Sequence, residues 1–129
     1  MKTLGIDYGT KKIGLAVSDE EGRVGFPRSV LQNDKNIIPA ILQICKNEKI
    51  GGIVLGESLD YGGEPNKVME KISAFKIQLE KVTGAPVYFE SEFLTSKQAR
   101  NVYDSGKNND ASAAALILQS YLDKLKNKK

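Results

Sequence analysis

Leu4-Gly-Ile-Asp-Tyr-Gly-Thr-Lys-Lys-Ile-Gly-Leu-Ala-Val-Ser-Asp19 is the stretch whose reading decides the fold. It sets a carboxylate, Asp7, inside an apolar strand pattern, turns through Gly9 and Thr10, and continues into a second apolar strand from Ile13 to Val17. An acid in such a place costs free energy unless a cation or hydrogen bonds compensate it. Asp7 is therefore the first candidate for chemistry.

Outward from this hairpin, Thr3 to Asp7 and Lys12 to Ser18 read as strands, and Val24 to Leu31 as a third, with Glu20-Glu21-Gly22 as the turn between the second and third. Pro27 makes the third strand an edge, because proline cannot donate to a ladder on its N–H side. From Asn33 the period changes: Ile37, Ile38, Ile41, Leu42 and Cys45 recur at helical spacing, with Gly51-Gly52 as the stop. Ile53-Val54-Leu55 is a short continuous apolar run, as a strand covered on both faces would be, ending at Gly56-Glu57. Ser58 to Asn66 is polar, glycine-rich loop sequence. A second helix carries Val68, Ile72, Phe75, Leu79 and Val82 on one face and stops at Gly84-Ala85-Pro86. Val87-Tyr88-Phe89 is the fifth strand. Thr95-Ser96-Lys97-Gln98 has the pattern of a capping box opening a short helix, and Gly106 to Asn109 is breaker-rich. The last helix begins at Asp110, with Ala111, Ala114, Ala115, Leu118, Leu122 and Leu125 on one side; its small residues suit a close approach to the sheet.

Three meandering strands followed by strand–helix alternation predict an α/β fold: a mixed five-stranded sheet, three antiparallel strands and then two parallel, flanked by helices. If the first, fourth and fifth strands are parallel neighbours, Asp7, Glu57 and Glu92 all emerge at one carboxyl edge, which the start of the last helix, Asp110, can also face.

At 129 residues and 40% hydrophobic, the chain has the length of one domain, read here as 1–129 with a basic tail over about 124–129. Its 19 basic and 16 acidic residues leave a net charge of +3, which permits nucleic-acid binding without demonstrating it. Cys45 cannot form an internal disulfide, being the single cysteine, and falls on an apolar helix face as a buried thiol. There is no apolar leader at the N-terminus and no run near the ~18 apolar residues of a membrane span, so a cytoplasmic protein is expected. The chain has no histidine, which excludes Ser-His-Asp triads, Cys-His dyads and the common histidine-containing zinc sites. Catalysis has to run on carboxylates, lysines, hydroxyls or a metal.

Carboxylates from separate segments suffice for Mg²⁺, which prefers oxygen ligands and keeps several waters. Two such ions roughly 4 Å apart can serve an in-line phosphodiester displacement without any histidine. Taken singly, Asp110 also reads as a helix N-cap, Glu92 as a solvated loop acid, and Asp7 as an anchor for its turn. Lys11, Lys12, Lys97, Arg100 and Lys107 are candidate phosphate contacts, and Tyr61 and Tyr103 candidate stacking platforms for unpaired bases.

Three segments together, Gly5 to Asp19, Glu92-Phe-Leu-Thr-Ser96 and Asp110-Ala-Ser-Ala-Ala-Ala-Leu-Ile-Leu-Gln-Ser-Tyr-Leu122, resemble in order and spacing the three motifs of the YqgF family, also called RuvX-like. The resemblance implies a ribonuclease H-like fold of the resolvase branch. It also implies a Mg²⁺- or Mn²⁺-dependent nuclease linked to processing the 5′ end of pre-16S ribosomal RNA, with Asp7, Glu92 and Asp110 as catalytic and metal-binding acids. Thr10, Lys11, Lys12, Lys97 and Arg100 are the candidate nucleic-acid contacts around them. Members of the family are also described as Holliday junction resolvases, so branched DNA is the alternative substrate, acted on by a monomer or weak homodimer. Two positions depart from the family: Ser91-Glu92-Phe93 stands where Asp-Glu-Arg is usual, and Leu55-Gly56-Glu57 where Gly-Leu-Pro is common. Glu57 is accordingly a further candidate ligand, and a nucleic-acid-binding module with weakened catalysis a further alternative. Actin-like sugar kinases share Asp-x-Gly-Thr on a hairpin, but one domain of this length leaves no room for their second half.

Overall fold

The computed structural model describes residues 1–57, 67–91 and 111–127. They form β1 (Lys2–Tyr8), β2 (Lys12–Ser18), β3 (Gly25–Gln32), α1 (Ile37–Glu48), β4 (Ile50–Glu57), α2 (Lys67–Thr83), β5 (Val87–Ser91) and α3 (Ser112–Asn127). The sheet order is β3-β2-β1-β4-β5, with β1–β2 and β2–β3 antiparallel and β1–β4 and β4–β5 parallel. This is the mixed five-stranded α/β arrangement expected from the sequence. Among the described residues, no helix is long and apolar enough to cross a membrane.

Alternation along the strands divides the core in two. Leu4 and Ile6 of β1, Ile13, Leu15 and Val17 of β2, and Ile53 and Leu55 of β4 pack with α1 and α2. The other face presents Ala16 and Val54 to Ala114, Ile117, Leu118 and Leu122 of α3. Pro27 does lie on an edge strand. Opposite Leu15 and Ala16 the pairing steps from Ser29 to Pro27, a bulge at Arg28 that accommodates the missing N–H. At the β2–β3 turn, Asp19 Oδ1 accepts from the N–H groups of Arg23 and Val24, and those bonds hold its carboxyl below the usual carboxylate range.

The structure moves several sequence-based expectations. Gly51-Gly52 does not end α1: the helix stops at Glu48, Lys49 takes the left-handed conformation (φ 57°), and both glycines belong to β4. Parallel pairing with β1 from Ile50 onward claims them, and a Cβ on Gly51 would meet Met1 at 2.9 Å. The buried face of α1 includes Ile44, while that of α2 is Met69, Ile72, Phe75 and Leu79, leaving Val82 40% exposed. On α3, Ile117 is buried and Leu125 is exposed, because the end of the helix runs out past the sheet. β5 continues two residues beyond Phe89, since Gly56 and Glu57 of β4 pair with Glu90 and Ser91. The expected short helix from Thr95 lies outside the described residues.

The approach of α3 depends on glycine. A Cβ built on Gly5 would stand 2.7 Å from Leu118 Cβ and 3.0 Å from the Ala114 carbonyl oxygen, and one on Gly25 3.0 Å from Leu118 side-chain atoms. On Gly14 the nearest atoms are Ala114 Cβ and Asp7 Cβ, both at 3.7 Å, which is ordinary contact. Gln119 pins the helix laterally, accepting from Gly25 N–H and donating to the Arg23 carbonyl. Gly5→Ala should therefore lower unfolding free energy by about 1–3 kcal/mol, the usual cost of overpacking. Gly14→Ala should stay close to wild type. Urea denaturation of the two variants tests the contrast.

Candidate active site at the carboxyl edge

Asp7 is the penultimate residue of β1 and pairs with Gly14 of β2. Leu4 and Ile6 point into the core against α1 and α2, so Gly5 and Asp7 lie on the α3 face. The space a side chain at 14 would fill is bordered by Asp7 Cβ at 3.7 Å and by Ala111 Cα at 3.8 Å. Asp7 and the first turn of α3 therefore share one glycine-lined recess. The carboxylate is half-buried and, among the described residues, has neither a hydrogen-bond nor an ion-pair partner. Proximity to the N-terminal N–H groups of α3 makes the acid tolerable there. On the opposite face the end of the strand is anchored by Tyr8, whose ring meets Phe75 edge-on at 5.1 Å.

The β1–β2 turn is held by a residue the sequence reading passed over. Asn33 Nδ2 donates to the Gly9 carbonyl at 2.8 Å and Asn33 N–H to the Lys11 carbonyl at 2.9 Å, tying the turn to the end of β3. Gly9 is obligatory, since a Cβ there would lie 2.4 Å from the Lys12 carbonyl oxygen. Thr10, Lys11 and Lys12 are exposed on this fixed turn, beside Asp7. An asparagine just past a strand end was the available signal for Asn33.

Glu57 reaches the same edge but not the same face. Ile6 is level with Leu55, and Glu57 follows Leu55 by two residues, so alternation sets it beside Tyr8 on the side of α1 and α2. The expectation that it joins Asp7 as a ligand does not follow from this sheet. Glu92, Asp110, Lys97 and Arg100 lie outside the described residues, as do Tyr61, Tyr103 and Lys107. Among the described residues, no three acids, histidines or cysteines are grouped as metal ligands.

Glu90 is a second acid that the sequence reading left unused. It pairs with Gly56 in the row of the sheet that holds Asp7, is buried, and accepts from Ser120 Oγ at 2.7 Å. Lys124 Nζ meets the same oxygen at 2.7 Å. The i, i+4 spacing of Ser120 and Lys124 on one helix face is the signal that could have found it. Cys45 is buried on α1, and burial raises its thiol pKa, which removes it as a nucleophile.

The sequence matches the family model described as "RuvX: Holliday junction resolvase" over residues 1–124. Proteins of Rickettsia peacockii and Rickettsia conorii, each named "Putative pre-16S rRNA nuclease", are 33% identical to it over 96% of this chain and 87% of theirs. The fold is similar to that of Thermus thermophilus RuvC solved with a Holliday junction substrate, with a TM-score of 0.70 and 14% identity over 100% of this chain and 97% of that one. Fowlpox virus resolvase, solved with Holliday junction DNA, gives a TM-score of 0.58 at 13% identity over 97% of this chain and 99% of that one. Iodoacetamide at pH 8 should leave Cys45 of the native protein unmodified and label it once denaturant unfolds the chain; mass spectrometry reads both states.

Proposed function

The chain belongs to the RuvX family, and from that premise we propose that it is a divalent-metal-dependent nuclease that hydrolyses phosphodiester bonds in 5′-end processing of pre-16S rRNA. The supporting observation is the setting of Asp7: a half-buried carboxylate without a partner among the described residues, beside the first turn of α3. Such an acid calls for a cation, and a chain without histidine supplies the hard oxygen donors that Mg²⁺ or Mn²⁺ accepts.

In this reading Asp7, Glu92 and Asp110 hold the metal, which when bound supplies an activated water and charge stabilisation for the leaving oxygen. Asp7 is carried on a strand fixed on both faces, by Tyr8 against Phe75 and by Gly5 under α3, so its ligand oxygens are preorganised. Thr10, Lys11 and Lys12 meet phosphates of the substrate from the turn that Asn33 holds, joined by Lys97 and Arg100. The protein acts in the cytoplasm as one domain, monomeric or weakly dimeric. Branched DNA is the second reading, favoured by the family's description as a Holliday junction resolvase.

Incubation with Mg²⁺ or Mn²⁺ and a panel of 5′-extended precursor rRNA, single-stranded RNA and four-way DNA separates the substrates. Wild type should cut the precursor RNA, and Asp7→Asn should lose on the order of 10²-fold or more of the rate, as when a charge-stabilising group is removed. Cleavage that persists in Asp7→Asn refutes the site; binding of RNA without any cleavage makes the protein a module. Glu57→Gln should cut at the wild-type rate, because Glu57 stands on the other face of the sheet from Asp7.

A further inference from the structure

We propose that Glu90, clasped by Ser120 and Lys124, is a positioning residue for the acids that bind the metal. This rests on the nuclease reading above, and it concerns how the two ends of the acidic constellation are registered.

The side chain of Glu90 is 4% exposed, whereas that of Lys124 is 60% exposed, so the pair is one buried carboxylate reached by a cation from the surface. A carboxylate sunk under a helix is a poor way to gain stability, since apolar residues of similar volume do as well or better at such positions. What the clasp does supply is direction. It ties the penultimate residue of β5 to the third turn of α3, and α3 is the helix whose first turn borders Asp7. Glu92 follows Glu90 by two residues and Asp110 precedes Ala111 by one. Fixing β5 against α3 at Glu90 therefore sets the point from which the chain departs toward Glu92, relative to the helix that opens next to Asp110.

The opposite side of α3 is tied in the same way by Gln119, which bonds the start of β3. With Leu118 seated on Gly5 and Gly25 between these ties, the helix can neither slide nor roll on the sheet. Outer partners that hold metal-binding side chains in this manner typically account for 10–100-fold in metal affinity.

Mn²⁺ binding followed by electron paramagnetic resonance tests this without relying on turnover, with thermal unfolding measured on the same samples. Wild type should bind in an Asp7-dependent manner. Glu90→Leu should keep or raise the melting temperature and weaken Mn²⁺ roughly 10-fold, the low end of such outer-partner effects. Glu90→Gln, which retains the bond from Ser120, should fall between them and serves if the leucine variant does not fold. Unchanged Mn²⁺ affinity in Glu90→Leu, or in Glu90→Gln where that variant serves, overturns the clasp while leaving the Asp7 site standing. Binding that is absent from wild type, or indifferent to Asp7→Asn, overturns the site and the clasp together.

Discussion

Everything at the carboxyl edge depends on how closely α3 lies on the sheet. Gly5, one residue pair below Asp7 on the same face, leaves room for Leu118 and for the Ala114 carbonyl where any side chain would collide. The close seat is made by small residues on both partners, Gly5, Gly14 and Gly25 below and Ala111 and Ala114 above. It brings the start of the helix down to the level of the acid, where dispersion contacts and the helix N-terminus act at short range. A bulkier sheet would lift α3 and separate its first turn from Asp7.

The same economy explains the chemistry that is open to this chain. Without histidine, proton transfer by imidazole is unavailable, and the buried thiol of Cys45 is held protonated and out of reach. Oxygen ligands remain, and one of them stands at the end of a strand braced by an aromatic contact on one face and a helix on the other. The lysines of the adjoining turn are presented on a backbone that Asn33 fixes at two points. Phosphodiester chemistry at a metal needs this combination: acids that do not move and cations at the rim.

Much of this was legible in the residues. The hairpin from Leu4 to Asp19 announced itself by its apolar runs and glycine turn, Pro27 marked an edge, and the alternation after Asn33 implied parallel strands. Asp7 stood out because an acid interrupts an apolar strand. Other features had no local signature. Gly51-Gly52 reads as a helix stop until pairing with β1 turns it into strand, and Leu125 and Val82 continue a helical period past the point where the core ends. The face taken by Glu57 follows from register with β1, which one strand alone does not encode. Glu90 looked like a strand-end charge because its partners, Ser120 and Lys124, lie thirty and more residues away.

The central claim is that the seat of α3 makes Asp7 the first ligand of a metal site shared with Glu92 and Asp110. Anomalous diffraction from crystals soaked in Mn²⁺ addresses it directly. The account predicts a manganese peak on the α3 face at coordination distance from the Asp7 carboxylate, with Glu92 and Asp110 among its neighbours. A peak on the Glu57 face, or none near Asp7 in crystals that bind Mn²⁺ elsewhere, would contradict it.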